Sequence, residues 1–217
     1  MPLTTETSPQ LDFGISLQNF DLFQNLFTLN DVTKTMKRPL PLLLALLVAT
    51  AGCMSEGGVK MEKTLEVGSV FHDGEFIPKE YTCEGDDTNP PIYIGNIPAE
   101  AKSLVIIVDD PDAPAGTFTH WIAWNIPPVG EIPSWVPRKP ETDEPFHIVQ
   151  GKNDFGRIGY NGPCPPRGHG VHHYHFKVYA LDTELKLEPG SSRKELEKAM
   201  EGHVIAWGEV VGLYERK

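Results

Sequence analysis

Three aspartates and a histidine follow an apolar run near the middle of the 217-residue chain. Residues 104–108 read LVIIV, Asp109, Asp110 and Asp112 come directly afterwards, and His120 stands ten residues beyond Asp110. A carboxylate beside a histidine can orient the imidazole and favour its charged form, so these residues could share a proton. Aspartate followed by proline also initiates turns, and a structural turn is therefore the alternative explanation of this loop.

A second stretch, GRIGYNGPCPPRGHGVHHY over residues 156–174, supplies groups that complement the first. Its glycines allow backbone amides to approach a ligand closely. It leads directly into His172 and Tyr174, whose ring nitrogens and hydroxyl can hydrogen-bond to a phosphate or another small anion. In such a pocket, Asp110 would orient and charge a neighbouring histidine, or share a proton with the ligand.

Strands must position both stretches. Apolar patterning predicts central strands over 103–108, 117–126 and 171–181. Because side chains alternate along a strand, we expect polar groups on one apolar face of each of the last two strands. These faces hold Phe118, His120, Ile122 and Trp124 on one strand and His172, Tyr174, Phe176 and Val178 on the other. Asp110 and His120 should then face one cleft, whereas Asp109 should merely end its strand.

The histidine-rich segment 169–175 resembles a metal-binding cluster at first sight. Strand alternation, however, places His173 and His175 on the face opposite to His172, and no carboxylate follows at ligand spacing. We therefore expect neither a metal site nor a cofactor.

Other segments complete the β pattern. Asp73-Gly74 indicates a hairpin turn, residues 92–94 a strand and residues 204–214 a last apolar strand. These signals predict a mostly β domain over 64–217.

Helix signals are few. Ser192 with Glu195 forms a capping box before an apolar helix face. The region 127–170 is rich in proline and glycine, which is typical of long functional or wrapping loops, and Trp135 should be exposed there among prolines.

The composition argues against one class of partner. The chain carries 19 Lys and Arg against 30 Asp and Glu, a formal net charge of -11, whereas nucleic-acid binders need basic surfaces. The sequence also lacks a G-x-S-x-G elbow, and no serine or cysteine stands beside a histidine with an evident third partner. We expect a binding protein and not an enzyme.

The N-terminal region has the features of an export signal. Residues 36–53 combine a basic start, an apolar stretch too short to span a membrane and a small-residue end. That end resembles a lipobox, which would make Cys53 a lipid anchor followed by a tether over 54–63; cleavage after Ala51 is the alternative. Residues 1–35 are then a non-native N-terminal extension or a disordered segment.

The cysteines are consistent with export. With Cys53 as the anchor, Cys83 and Cys164 remain, and they could form one disulfide or stay two buried thiols. We expect an exported protein that is lipid-anchored to the outer face of the cell membrane, or else secreted or periplasmic.

An ordered set of motifs resembles one family. Two long motifs are similar to the phosphatidylethanolamine-binding proteins, in the prokaryotic branch labelled Raf-kinase-inhibitor-like: DDPDAPAGTFTHWIAWNIP and GPCPPRGHGVHHYHFKVYALD. Three further segments share the similarity: YTCEGDDTNPP, GKNDFGRIGYNGPCPP and GHVIAWGEVVGLYER. The resemblance covers residues 64–217. It implies a fold with a central antiparallel sheet, a second smaller sheet and few short helices.

The resemblance also implies a small anion pocket at one end of the fold. Its ligand-binding residues would be Asp110, Asp112, His120, Gly162, Cys164, His172 and Tyr174. The ligand would be a phosphate or a phosphorylated headgroup. The alternative that the family suggests is an inhibitor of a serine protease or a kinase, which would act on its partner through surface loops.

Overall fold

The computed structural model describes residues 64–217, which form a mostly β domain with a single α-helix, as the sequence predicted. The extension over 1–35, the signal segment 36–53 with Cys53, and the tether over 54–63 lie outside the described residues. Among residues 64–217, no helix is long and apolar enough to cross a membrane.

Seven strands form the central sheet. They are β2 (Glu75–Phe76), β4 (Ser103–Asp110), β5 (Phe118–Ile126), β7 (Glu141–Thr142), β8 (Ile148–Gln150), β9 (His172–Leu181) and β10 (Val204–Tyr214). Their order is β2-β10-β9-β4-β5-β8-β7, and every neighbouring pair is antiparallel except β2 with β10. The four long strands expected from the sequence are thus adjacent at the centre of the sheet.

A smaller antiparallel sheet and one helix pack against the central sheet. The small sheet contains β1 (Glu66–Gly68), β3 (Ile92–Gly95) and β6 (Glu131–Ile132), in the order β1-β3-β6. The helix α1 spans Arg193–Met200, and a single 3-10 turn covers Lys79–Tyr81 within the described residues.

Both faces of β4 are covered, and this explains the uninterrupted apolar run over residues 104–108. One core cluster joins Ile92 of the small sheet to Ile106 of β4. The other joins Ile107 of β4 to Leu196 and Met200 of α1. All eight residues of β4 are therefore buried, which favours a continuous apolar run over polar-apolar alternation.

The capping box begins α1 as predicted. The Ser192 side chain accepts a hydrogen bond from the Glu195 backbone N–H, and the Glu195 carboxylate accepts one from the Ser192 N–H at 2.8 Å. These bonds satisfy two donors that the first turn of the helix cannot pair internally.

The hairpin predicted at Asp73-Gly74 is wrong. A turn is present, but β2 pairs in parallel with β10 and does not fold back on the preceding strand. The reason is that the polar groups of the turn form hydrogen bonds with β10. The Val211 N–H donates to the Asp73 carboxylate, and the Gly74 N–H donates to the Val211 carbonyl, each at 2.8 Å.

A disulfide joins Cys83 to Cys164, with 5.5 Å between their Cα atoms. Of the two alternatives open from the sequence, the cross-link is the one present. The Cys83 N–H also donates to the Pro163 carbonyl, so the bridge ties the segment after the 3-10 turn to the glycine-rich loop.

The region 127–170 is mostly loop, and Asn89 anchors part of it. The buried Asn89 amide donates to the Pro133 carbonyl at 2.8 Å and accepts from the Val136 N–H at 2.9 Å. Trp135, between these two bonds, is 66% exposed, as expected. Its backbone φ of 67° lies in the left-handed region, which only a well-anchored loop imposes on a tryptophan.

Candidate functional site

A cavity of about 210 Å³ lies at one end of the central sheet. Four of the residues predicted from the two loops line it, namely Asp110, His120, His172 and Tyr174, and Cys164 lines it as well. The remaining lining is apolar and consists of Ala113, Pro114, Phe118, Phe155, Pro165 and Pro166. The aspartate-rich loop is therefore one wall of a cavity and more than a turn.

A β-bulge brings His120 to this cavity. In the pairing of β4 with β5, Val108 lies opposite Trp121 and Asp109 lies opposite Thr119. Two consecutive residues of β4 therefore face three of β5, and His120 is the additional residue.

The bulge also overturns one prediction from strand alternation. Phe118 and His120 line the cavity, but Ile122 and Trp124 lie on the opposite face of the sheet, in the cluster packed against α1. Alternation failed here because the additional residue reverses the side of the residues that follow it, until a second irregularity before Ile126. On β9, which has no irregularity near the cavity, the predicted face is confirmed: His172, Tyr174, Phe176 and Val178 are all buried.

One nitrogen of the neutral His120 ring is bonded to the backbone of the glycine-rich loop. Nδ1 lies 2.7 Å from the Asn161 carbonyl, and because a carbonyl only accepts, Nδ1 carries the proton. Burial lowers the pKa of His120, and the hydrogen bond to Asn161 opposes this only in part. Nε2 then carries a lone pair, which can take up a proton.

Asn153 fixes the loop that holds His120. Its side-chain amide donates to the Gly159 carbonyl and to the Asn161 side chain, both at 2.9 Å. Its side-chain oxygen accepts from the N–H groups of Phe155 and Arg157 at 3.1 Å. One buried asparagine thus sets the position of Asn161 behind His120 and of Phe155 in the cavity wall.

Asp110 belongs to a chain of hydrogen bonds. Its carboxylate lies 2.7 Å from Nδ1 of His172, and both side chains are almost completely buried. Nε2 of His172 lies 2.7 Å from Nδ1 of His169. The Asp112 N–H donates to the second carboxylate oxygen of Asp110 at 2.9 Å. Asp110 therefore orients the His172 ring, which is part of one of the roles expected for it.

The Tyr174 hydroxyl lies near the Asp110 carboxylate and the Cys164 backbone. The oxygen is buried and makes no hydrogen bond of normal length with residues 64–217. Burial, reinforced by the nearby Asp110 carboxylate, raises the pKa of Tyr174 far above its usual value. The hydroxyl thus stays protonated and can donate to a ligand.

Comparison with known proteins identifies the family. The family described as phosphatidylethanolamine-binding protein matches residues 67–215. The chain belongs to this family. A UPF0098 protein of Pyrococcus horikoshii is 68% identical over 192 residues, covering 88% of this chain and 96% of that protein. A UPF0098 protein of Aquifex aeolicus is 48% identical over 176 residues, covering 80% of this chain and 99% of that protein.

Solved structures agree with the phosphatidylethanolamine-binding protein fold. A homologue from Chlamydia trachomatis has a TM-score of 0.64 at 39% identity and covers 72% of this chain and all of that one (100%). The E. coli protein YbcL, described as a new member of the mammalian family, has a TM-score of 0.65 at 35% identity and covers 71% of this chain and 99% of that one. The central sheet, the smaller sheet and the scarcity of helices are thus features of this family.

Two residues expected to bind ligand in this family member lie elsewhere. Asp112 is not part of the cavity lining, because its carboxylate accepts from the backbone N–H and the ring of the exposed His173 at 2.9 and 2.7 Å. The His173 hydrogen bond lowers the pKa of Asp112. The same contact explains why His173 faces away from the cavity, as strand alternation predicted.

Gly162 supports the loop and does not line the cavity. Its N–H donates to the Asp87 carboxylate at 2.7 Å. A Cβ atom at this position would lie 2.2 Å from the Tyr81 carbonyl oxygen, a distance that no side chain tolerates. Glycine is therefore required for close packing, and its amide is already used within the protein.

Asp109 does more than end a strand. The β4 strand continues to Asp110, and the Asp109 side chain is fully buried on the face opposite to the cavity. Its carboxylate accepts from Lys177 at 2.8 Å and from Arg193 of α1 at 2.8 Å. The expectation that Asp109 merely ends the strand is wrong, because this carboxylate ties two strands to the helix.

Strand patterns missed three residues of the site, namely Phe155, Asn153 and Asn161. They lie in a loop, where alternation carries no information about side-chain direction. The sequence NDFG at 153–156 is nevertheless an asparagine-initiated turn signal, and it could have indicated a fixed turn that directs Phe155 toward the cavity.

Proposed function

We propose that the cavity binds a small anion, either phosphate or the phosphate group of a larger headgroup. One observation carries the proposal: His120 and Tyr174 line a cavity of about 210 Å³, and the buried Tyr174 hydroxyl makes no hydrogen bond of normal length with residues 64–217. Buried polar groups usually find a hydrogen-bond partner, so this hydroxyl favours a polar ligand. The apolar lining around these two residues strengthens hydrogen bonds to an anion by excluding water.

The negative charge of Asp110 must be offset before an anion can enter. The contacts of its carboxylate with His172 Nδ1 and the Asp112 N–H supply part of that compensation. His120 supplies the rest only if Nε2 gains a proton, because Nδ1 already carries one. The proposed ligand therefore binds together with a proton.

Anion affinity is expected to rise as the pH falls. Burial holds the pKa of His120 below its usual value in the free protein, whereas a bound anion stabilises the imidazolium and raises it. Between the bound and free pKa values, affinity for sulfate should increase about tenfold per pH unit. Below the lower value it should level off. Isothermal titration calorimetry with sulfate, whose charge does not change over this range, measures the effect.

Three variants make that titration specific. His120→Ala should remove the part of the pH dependence that His120 contributes and weaken binding at least about tenfold, and Tyr174→Phe should weaken binding with the pH dependence retained. Asp112→Ala, outside the cavity lining, is the matched control and should bind like the wild type. Equal sulfate affinity in the wild type and His120→Ala would contradict the proposal.

We propose binding without turnover. Cys164 is the cysteine on the cavity lining, and its sulfur is bonded to Cys83, so it has no thiolate that could act as a nucleophile. A panel of phosphoesters incubated with the protein should remain intact.

Protein inhibition is the second candidate, and the exposure of Trp135 in an anchored loop favours it. Exposed aromatic side chains are common anchors at protein interfaces. If the loop region 127–158 inhibits a serine protease or a kinase, Trp135→Ala should lose the inhibition while His120→Ala keeps it. The opposite pattern would assign the effect to the cavity.

We also propose that the domain works outside the cell, tethered through Cys53. The Cys83–Cys164 disulfide supports this, because such bonds persist in oxidising compartments. Intact-mass measurement of protein from its source should show a lipid on Cys53; an unmodified Cys53 would reject the anchor.

A further inference from the structure

His169 extends the polar side of the cavity toward solvent. It lies outside the cavity lining, yet its Nδ1 is 2.7 Å from Nε2 of the buried His172, and the two ring centroids are 4.9 Å apart. The loop fixes this position, because the His169 N–H donates to the Pro166 carbonyl and the Gly168 N–H donates to the Arg216 carbonyl. His169 itself is exposed.

The hydrogen bonds restrict where protons can reside in this chain. His172 donates from Nδ1 to the Asp110 carboxylate, which only accepts. The bond between His172 Nε2 and His169 Nδ1 then holds a single proton on one nitrogen or the other. With the proton on His169, His172 is neutral. With the proton on His172, that ring is an imidazolium and His169 is the acceptor.

We propose that His169 is a positioning residue that lets His172 take up a proton when an anion enters the cavity. The inference rests on the proposed anion binding and adds a second proton to it. An anion beside Asp110 favours positive charge on His172, and the lone pair of His169 accepts from the new N–H. Without His169, a charged His172 that is only 1% exposed would bury an N–H without a partner.

Neighbouring groups do not take over this role. His173 is bonded to Asp112, and His175 to Glu209, on the other side of β9. The other titratable or charged groups on elements near the chain are His120 on β5, Tyr174 on β9, Tyr214 on β10 opposite His172, Arg167 in the same loop, Arg216 after β10, and Glu84, which bonds to Tyr214, Arg167 and Arg216. Arg216 lies against Cys164 and Pro165, so it adds fixed positive charge and cannot accept a proton from His172.

The test compares His169→Leu with His169→Gln. Leucine removes the acceptor, so sulfate affinity near pH 6.5 should fall about tenfold, and proton uptake per bound sulfate should drop by up to about one proton. Glutamine can accept through its amide oxygen and should restore most of both quantities. His203→Leu removes an exposed histidine bonded to Asp182 instead, and should change neither. Calorimetry in buffers of different ionisation enthalpy measures the uptake.

The outcomes separate the two proposals. Sulfate binding with unchanged proton uptake in His169→Leu would overturn the role of His169 and leave the anion pocket standing. Absence of sulfate binding in the wild type would reject the anion pocket. In that case, nitrogen-15 NMR of the ligand-free histidine rings still decides on His169: Nε2 of His172 should gain its proton at a higher pH in the wild type than in His169→Leu. Identical titration curves for His172 would overturn the inference.

Discussion

Asp109→Ala is expected to lower the free energy of unfolding by about 3 kcal/mol, because it breaks a buried ion cluster. The Asp109 carboxylate is fully buried and bonded to Lys177 and Arg193. Its removal leaves two cations facing an apolar gap between β4 and α1. Both cations keep some access to water, so the cost should fall at the low end of the range for such clusters. Urea denaturation followed by tryptophan fluorescence measures it.

Asp112→Ala is the matched control for this stability measurement. It removes an aspartate three residues along the chain, whose ion pair with His173 is about half exposed on both sides. Exposed pairs contribute little, so the loss should stay below about 1 kcal/mol. Equal losses in the two variants would show that burial of Asp109 does not govern its contribution.

Removal of the disulfide is expected to lower the free energy of unfolding by about 2–5 kcal/mol. The bond joins residues 81 apart in sequence, so it restricts a long loop in the unfolded chain. The double variant Cys83→Ser with Cys164→Ser avoids a leftover thiol. Chemical denaturation of the oxidised wild type and the variant gives the difference.

Reduced wild-type protein separates the cross-link from local packing. If chain restriction dominates, the reduced protein and the double serine variant should be equally destabilised. A variant as stable as the oxidised protein would contradict this. Since Cys164 also lines the cavity, sulfate affinity of the variant reports whether the cross-link shapes the site.

The sequence predicted the sheet because the long strands are defined locally. Apolar runs and period-two alternation suffice to locate β4, β9 and β10, and the capping box locates the start of α1. Alternation also placed His172 and Tyr174 together on the cavity side of β9, since no bulge interrupts the strand there.

What the sequence could not predict depends on contacts between distant residues. The bulge at His120 arises from the register between β4 and β5, which alternation within one strand does not specify. The Asp109 carboxylate forms an ion pair with Arg193, which lies in a helix much later in the chain. The family resemblance assigned Asp112, which shares a loop with Asp110, to the pocket, yet its carboxylate bonds to His173. The loop sequence indicated that Asp112 lies near Asp110, but it did not indicate which way the Asp112 side chain points.

The most direct test of the anion pocket is a crystal structure of the protein soaked with selenate, a sulfate analogue whose selenium scatters anomalously. We predict one strong anomalous peak in the cavity, with selenate oxygens about 3 Å from Nε2 of His120 and from the Tyr174 hydroxyl. The peak should weaken in crystals of His120→Ala. A cavity without anomalous density, or a peak unaffected by that substitution, would contradict the proposed function.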